Sequence, residues 1–279
     1  MSPYLAWPWF APSGRRPPQL EVITRKPAGR GGRTPLVFVH GAYVGAWCWD
    51  EFFLPYFAER GFEVMAPSLR GHGRSAGNLE ATGIADYVDD LTRVVDDLDR
   101  PPVLIGHSMG GLVIQKYLER RSARAAVLMA SVPPSGLMMS SLRLLLADPM
   151  LLTQLTLMQS AGPQSVDVDV ARRAVFSDHI PAAELARYTD RMQSESQRAL
   201  WEMTAGMLPQ PWCVRRVPML VTGAEEDSLF STAEVRTTAA AYGADLYLEP
   251  GMAHAMMLEP GWRNVADHII QWLRGHGLA

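Results

Sequence analysis

From residue 20 onward, short apolar runs of strand character alternate with segments of helical period, and this alternation constrains the fold more than any other property of the chain. The strand-like runs cover residues 20–24, 36–39, 64–67, 103–106, 126–130, 219–222 and 246–248. Most are apolar throughout rather than alternating. A strand half open to water alternates polar and apolar residues, whereas one covered on both faces does not. Between these runs, Trp49, Phe52, Phe53, Tyr56 and Phe57 recur at helical spacing, as do Tyr87, Leu91, Val94, Val95 and Leu98. The pattern predicts an α/β fold, a mostly parallel central sheet flanked by helices.

One stretch breaks the rhythm. Residues 133–211 contain no strand-like run but several helical ones, among them "SSLRLLLADPMLLTQLTLMQ" and "SQRALWEMTAGML". They are expected to form a helical cap inserted into a core made of residues 20–132 and 212–279, with residues 1–19 as an N-terminal extension. Seven methionines fall in the cap (Met138, Met139, Met150, Met158, Met192, Met203 and Met207). Methionine adapts to varied apolar shapes, so some of them are candidates to touch a substrate. Ser231 and Glu234 have the spacing of a capping box that opens a helix ending at Gly243. Residues 262–273 form a last amphipathic helix. In the extension, Trp7, Trp9 and Phe10 read as a tail packed on the surface, with a flap beside a cleft as the alternative. The basic, glycine-rich "RKPAGRGGRTP" reads as a hairpin or strand connection.

Composition removes several function classes. With 48% hydrophobic and 20% charged residues among 279, the chain can bury enough apolar surface to fold. A net charge of -3 and a pI near 6.2 leave no broad basic surface of the kind that attracts nucleic acid. Cys48 and Cys213 stand far apart with no metal-ligand spacing and read as buried thiols. Asp86, Asp89, Asp90, Asp96, Asp97 and Asp99 read as the solvated face of one helix rather than a metal cluster. No apolar run approaches the ~20 residues that cross a bilayer, and proline interrupts the N-terminal segment, so no membrane span or secretion signal is expected and a cytoplasmic address follows. Self-association as a homodimer is left open.

The chemistry starts at "VLIGHSMGGLV". Gly106, Ser108 and Gly110 fit G-x-S-x-G, placed after a buried-type strand and before "LVIQKYLERR", which reads as a helix. Such a turn lifts the serine clear of the carboxyl edge of the sheet and aims the Met109 N–H at whatever the hydroxyl attacks. A serine hydroxyl needs a base, and the base needs an orienting acid. His254, in the loop between the last strand and the last helix, is the best placed histidine. His107 adjoins the serine, but neighbouring side chains on a sharp turn diverge, so it reads as packed. His40 and His72 read as scaffold, and His179, His268 and His276 carry no signal. Glu225, Glu226 and Asp227 directly follow a buried-type strand and are the candidate acids. A second oxyanion donor is expected from the Ala42 N–H after "LVFVHG", each donor contributing about 3 kcal/mol to the transition state.

Together, "HGA" at 40–42, "SLRGHGRS" at 68–75, "GHSMGG" at 106–111, "GAEED" at 223–227 and "GMAH" at 251–254 resemble the α/β-hydrolase superfamily. "HGAYVGAWCW" and "HAMMLEP" are similar to the branch of small esterases that includes plant methyl esterases, hydroxynitrile lyases and lysophospholipase-like hydrolases. The resemblance implies a triad of Ser108, Asp227 and His254 and so selects Asp227 among the acids. It also implies that no cofactor is used. The dehalogenases and most epoxide hydrolases of the superfamily use an aspartate where Ser108 stands, and hydroxynitrile lyases carry a lysine where Ala255 stands. Serine-dependent hydrolysis of a small-molecule carboxylic ester is the leading expectation, with a medium-sized apolar acyl or aromatic group suggested by the Met- and Leu-rich cap. Carbon-carbon bond hydrolysis of a diketone and cofactor-free perhydrolysis are the alternatives on the same triad, and a non-catalytic small-molecule receptor is the alternative outside catalysis.

Overall fold

The computed structural model describes residues 17–28 and 33–279. Seven strands form one sheet: β1 (Val22–Arg25), β2 (Leu36–Val39), β3 (Val64–Pro67), β4 (Val103–His107), β5 (Ala125–Met129), β6 (Met219–Ala224) and β7 (Asp245–Glu249). Their order across the sheet is β1-β3-β2-β4-β5-β6-β7, with β1 antiparallel to β3 and every other pair parallel. β2 to β6 are buried along their whole length, which accounts for their unbroken apolar sequence. Because β1 pairs with β3 and not with β2, the glycine-rich segment between β1 and β2 does not close a hairpin. It joins strands that are not neighbours, and its residues 29–32, like Trp7, Trp9 and Phe10, lie outside the described residues.

Helices cover both faces. The strand period of two sends Leu36 and Phe38 of β2 to one side, where they meet α1 (Trp47–Asp50), α2 (Phe53–Glu59) and α11 (Trp262–Gly275) through Trp49, Phe53, Phe57 and Ile269. Val37 and Val39 point the other way, to a core with Leu91 of α3 (Ile84–Asp96) and Leu112 of α4 (Met109–Leu118). The aromatic run expected as one helix is split after Asp50, where Phe52 leaves helical geometry. α10 (Thr232–Tyr242) opens on the Ser231/Glu234 capping box and stops at left-handed Gly243.

Between β5 and β6 lie α5 (Met138–Ala147), α6 (Pro149–Ala161), α7 (Val168–Val175), α8 (Ala182–Thr189) and α9 (Gln197–Trp201). Backbone bonds tie this helical layer to the sheet loops: Gln193 N–H donates to Tyr43 O at 2.9 Å and Ala255 N–H to Val175 O at 2.8 Å. Buried Glu259 accepts from both the N–H and the hydroxyl of Ser177, each at 2.6 Å.

Two expectations from the sequence are corrected. Asp90 is not on a solvated face: it is fully buried and takes three hydrogen bonds from Arg70, whose guanidinium also reaches Asp86. A carboxylate can leave water when a bidentate arginine replaces its hydration. Asp89, Asp96, Asp97 and Asp99 do face solvent. Cys48 is buried, but Cys213 is exposed in the turn Pro211–Cys213, where its thiol meets Gln210.

The layers are locked by a buried ion pair. His72 donates from Nε2 to Glu195 Oε2 at 3.0 Å and from Nδ1 to Arg70 O at 3.2 Å. Glu195 Oε1 also accepts from the Tyr87 hydroxyl and the Ser196 N–H. Burial alone would lower the His72 pKa, but Glu195 raises it above the usual range; burial opposes Glu195 likewise, and His72 draws it below its usual range. The His72 contribution is therefore complete below about pH 6.5 and lost as pH rises through its raised pKa; the Glu195 contribution is complete above about pH 4.3 and lost as pH falls through its lowered pKa. Glu195→Gln is expected to destabilise the protein by about 1–3 kcal/mol near pH 6, because it removes the carboxylate that stabilises charged His72 and burial then drives the ring neutral. Urea denaturation should show a smaller difference from wild type at pH 9, and an equal difference at both pH values would contradict the charged pair.

Candidate active site

Three non-glycine residues among those described have positive φ, and all sit where a strand leaves the carboxyl edge of the sheet: Tyr43 at 68° after β2, Ser108 at 52° after β4 and Ala130 at 41° after β5. Each such conformation costs on the order of 1–3 kcal/mol and persists only where its surroundings enforce it. At Ser108 those surroundings are explicit. Its N–H donates to Met129 O at 3.1 Å, and its carbonyl accepts from Gly111 and Val132. A Cβ on Gly106 would fall 2.6 Å from the Gly110 backbone, and one on Gly110 would fall 2.2 Å from Val39 O. The turn is thus too tight for any side chain at these two positions.

Ser108 precedes the first residue of α4, so the Met109 N–H belongs to the first turn and has no acceptor within the helix. The loop after β2 runs alongside: a Cβ on Gly41 would lie 3.1 Å from Ser108 Cβ, which brings the next residue, Ala42, to the same place. Ala42 and Ser108 line one cavity of about 180 Å³ together with His254.

Of the three candidate acids, Glu225 and Glu226 are exposed and Asp227 is buried. Asp227 Oδ1 accepts the backbone N–H of Leu229 at 2.8 Å and of Phe230 at 3.0 Å, leaving Oδ2 to His254 Nδ1 at 2.8 Å. The His254 ring lies against Phe230, with centroids 5.3 Å apart. A carboxylate only accepts, so His254 carries its proton on Nδ1 and presents a lone pair at Nε2.

The other buried histidines are held differently. His107 donates from Nε2 to the backbone carbonyl of His254 at 2.9 Å, while its Nδ1 has no partner among the described residues. Burial, reinforced by the neighbouring His254, holds it well below the usual histidine range, so it stays neutral. It is packed, as expected, and it also anchors the His254 loop, a contact between residues 147 apart in the chain that no local pattern signals. His40 donates from Nδ1 to Gly41 O and accepts the Leu69 N–H at Nε2, and burial lowers its pKa to about 3.

The cavity roof comes from the helical layer, through Leu144, Leu155, Met158, Phe176, Tyr188 and Met203. Of the seven cap methionines, Met158, Met192 and Met203 line it, whereas Met138, Met139 and Met150 are exposed. Among the described residues no cluster of three or more His, Cys, Asp or Glu could hold a metal, and no helix is long and apolar enough to cross a membrane.

A family model described as the alpha/beta hydrolase family matches residues 36–267. The chain is 39% identical over 106 residues to a non-heme chloroperoxidase of Burkholderia pyrrocinia, a match that covers 36% of this chain and only 38% of that protein. It is 25% identical over 229 residues to a monoacylglycerol lipase of Mycolicibacterium smegmatis, covering 79% of this chain and 81% of the lipase. Among solved structures, a bromoperoxidase from Bacillus anthracis superposes with a TM-score of 0.76 at 19% identity, covering 93% of this chain and 97% of that one, which speaks to the fold alone.

The Asp227 geometry makes a spectroscopic prediction. In Asp227→Asn the amide oxygen keeps the two backbone donors, so the NH₂ group faces His254 Nδ1 and forces the ring proton to Nε2. Nitrogen-15 NMR of neutral His254 should show an Nδ1–H tautomer in wild type and Nε2–H in the variant. An Nε2–H tautomer in wild type would contradict the assignment.

Proposed function

The chain belongs to the alpha/beta hydrolase family, and from that membership we propose that it is a serine-dependent hydrolase of carboxylic esters with medium-sized apolar acyl or aromatic groups. The observation that carries this reading is one apolar cavity holding both Ser108, on its strained turn, and His254, backed by buried Asp227. The monoacylglycerol lipase relative supports it.

In this mechanism His254 Nε2 takes the Ser108 proton as Oγ forms a bond to the ester carbonyl carbon. The oxyanion lies on the N–H groups of Ala42 and Met109. Asp227 holds the ring and stabilises the imidazolium as it forms. Collapse breaks the carbon–oxygen bond to the alcohol, which leaves with the proton from His254, and an acyl-enzyme remains on Ser108. Water, deprotonated by His254, attacks the acyl carbon and releases the acid and the free serine. The chain needs no cofactor for these steps.

The likeness to a chloroperoxidase favours perhydrolysis as a second reading. Hydrogen peroxide then replaces water as acyl acceptor on the same intermediate and yields a peroxyacid.

A fluorophosphonate probe is expected to label wild type and not Ser108→Ala; equal labelling of the two, or none of wild type, would sink the reading. Across p-nitrophenyl esters, kcat/KM should rise from acetate to medium chains. Activity confined to acetate would contradict an apolar acyl pocket.

A further inference from the structure

Tyr43 has features that ester hydrolysis, as proposed, leaves unused. It follows Ala42 directly, its backbone is held at a φ of 68°, and its side chain lines the cavity with Ser108 and His254. The Tyr43 hydroxyl is buried and has no hydrogen-bond partner among the described residues. A buried phenol ordinarily finds one, because the polar end of the ring loses water on burial. Glu195 acts on it electrostatically, but no hydrogen bond joins the two; the Glu195 oxygens accept from Tyr87, Ser196 and His72. The Ser140 hydroxyl, also on the cavity wall, is engaged by Glu234. Much of the remaining wall is apolar, including Leu137, Leu144, Leu155, Met158 and Met203.

We propose that the Tyr43 hydroxyl is a specificity group that donates a hydrogen bond to a second oxygen, a ketone or ether, carried in the acyl chain of the ester. The inference rests on the ester-hydrolase reading and adds a substrate class to it, oxygenated rather than plain alkanoyl esters. Acyl chains of this kind bring oxygen acceptors and no N–H or O–H donors, so the phenol is the donor. Burial pushes its pKa up, which keeps the proton in place through the assay range. Because Tyr43 lines the same cavity as Ser108, the second oxygen belongs on the acyl chain beyond the reacting carbonyl. A largely apolar pocket without this donor would bind such a chain poorly, because the oxygen would lose its water with little compensation.

The test compares kcat/KM for three matched pairs of p-nitrophenyl esters: pentanoate with 4-oxopentanoate, hexanoate with 5-oxohexanoate, and heptanoate with 6-oxoheptanoate. In wild type at least one oxo ester should match or exceed its parent. In Tyr43→Phe the oxo-to-parent ratio for that pair should fall about 5- to 10-fold, mainly through KM. The ratio is internal to each protein, so a general loss of activity in the variant does not disturb it. Rejection of all three oxo esters by wild type, which needs no variant to measure, overturns the proposal, as does an unchanged ratio in Tyr43→Phe. If either result comes with Ser108-dependent hydrolysis of the parents, only the specificity proposal falls. Absence of any Ser108-dependent hydrolysis defeats the underlying reading and this inference with it.

Discussion

The turn at Ser108 exists because Gly106 and Gly110 carry no side chain, so that backbone fills the space a Cβ would take. Those two positions let β4 turn directly into α4 against the β2 backbone, and the sheet does the rest. Met129 at the end of β5 and Val132 just beyond it bind the Ser108 backbone from the neighbouring strand, so the strained conformation is held by bonds that belong to the fold. The same parallel sheet delivers Ala42, Ser108 and Asp227 to one edge, since each follows the carboxyl end of a strand. The roof of helices α5–α9 then closes an apolar cavity over them.

Burial divides the histidines by what they meet. His40 and His107 hydrogen-bond to backbone groups and lie beside other histidines, so burial, reinforced by those neighbours, lowers their pKa values and they serve as hydrogen-bonded scaffold. His72 finds two acceptors, Glu195 and the Arg70 carbonyl, and its pair with Glu195 ties the loop after β3 to the segment between α8 and α9. His254 finds a carboxylate on one nitrogen and the cavity on its other side. One residue type thus holds the loops together at three positions and is left for proton transfer at the fourth, by the proposed mechanism.

Strands β2 to β6 were legible because complete burial writes an apolar run directly into the sequence, and the capping box of α10 was legible because its two hydrogen bonds are local. Asp227 could be separated from Glu225 and Glu226 only by resemblance. The structure adds a physical reason, since the chain turns so that two backbone N–H groups and His254 reach the third carboxylate while the first two remain in water. The burial of Asp90 was not legible, because its partner Arg70 lies 20 residues away on a loop. Nor was the exposure of Cys213 or the left-handed backbone of Tyr43. These depend on tertiary contacts, which period and propensity do not encode.

The central claim is that Ser108 carries the acyl group. Turnover of a p-nitrophenyl ester quenched with acid within the first cycles, followed by intact-mass and peptide analysis, tests it directly. The account predicts a mass increase equal to one acyl group, mapped to the peptide containing Ser108, together with a stoichiometric burst of p-nitrophenol. An acyl group on any other residue, or steady turnover with the acid-quenched enzyme unmodified and no burst, would contradict it.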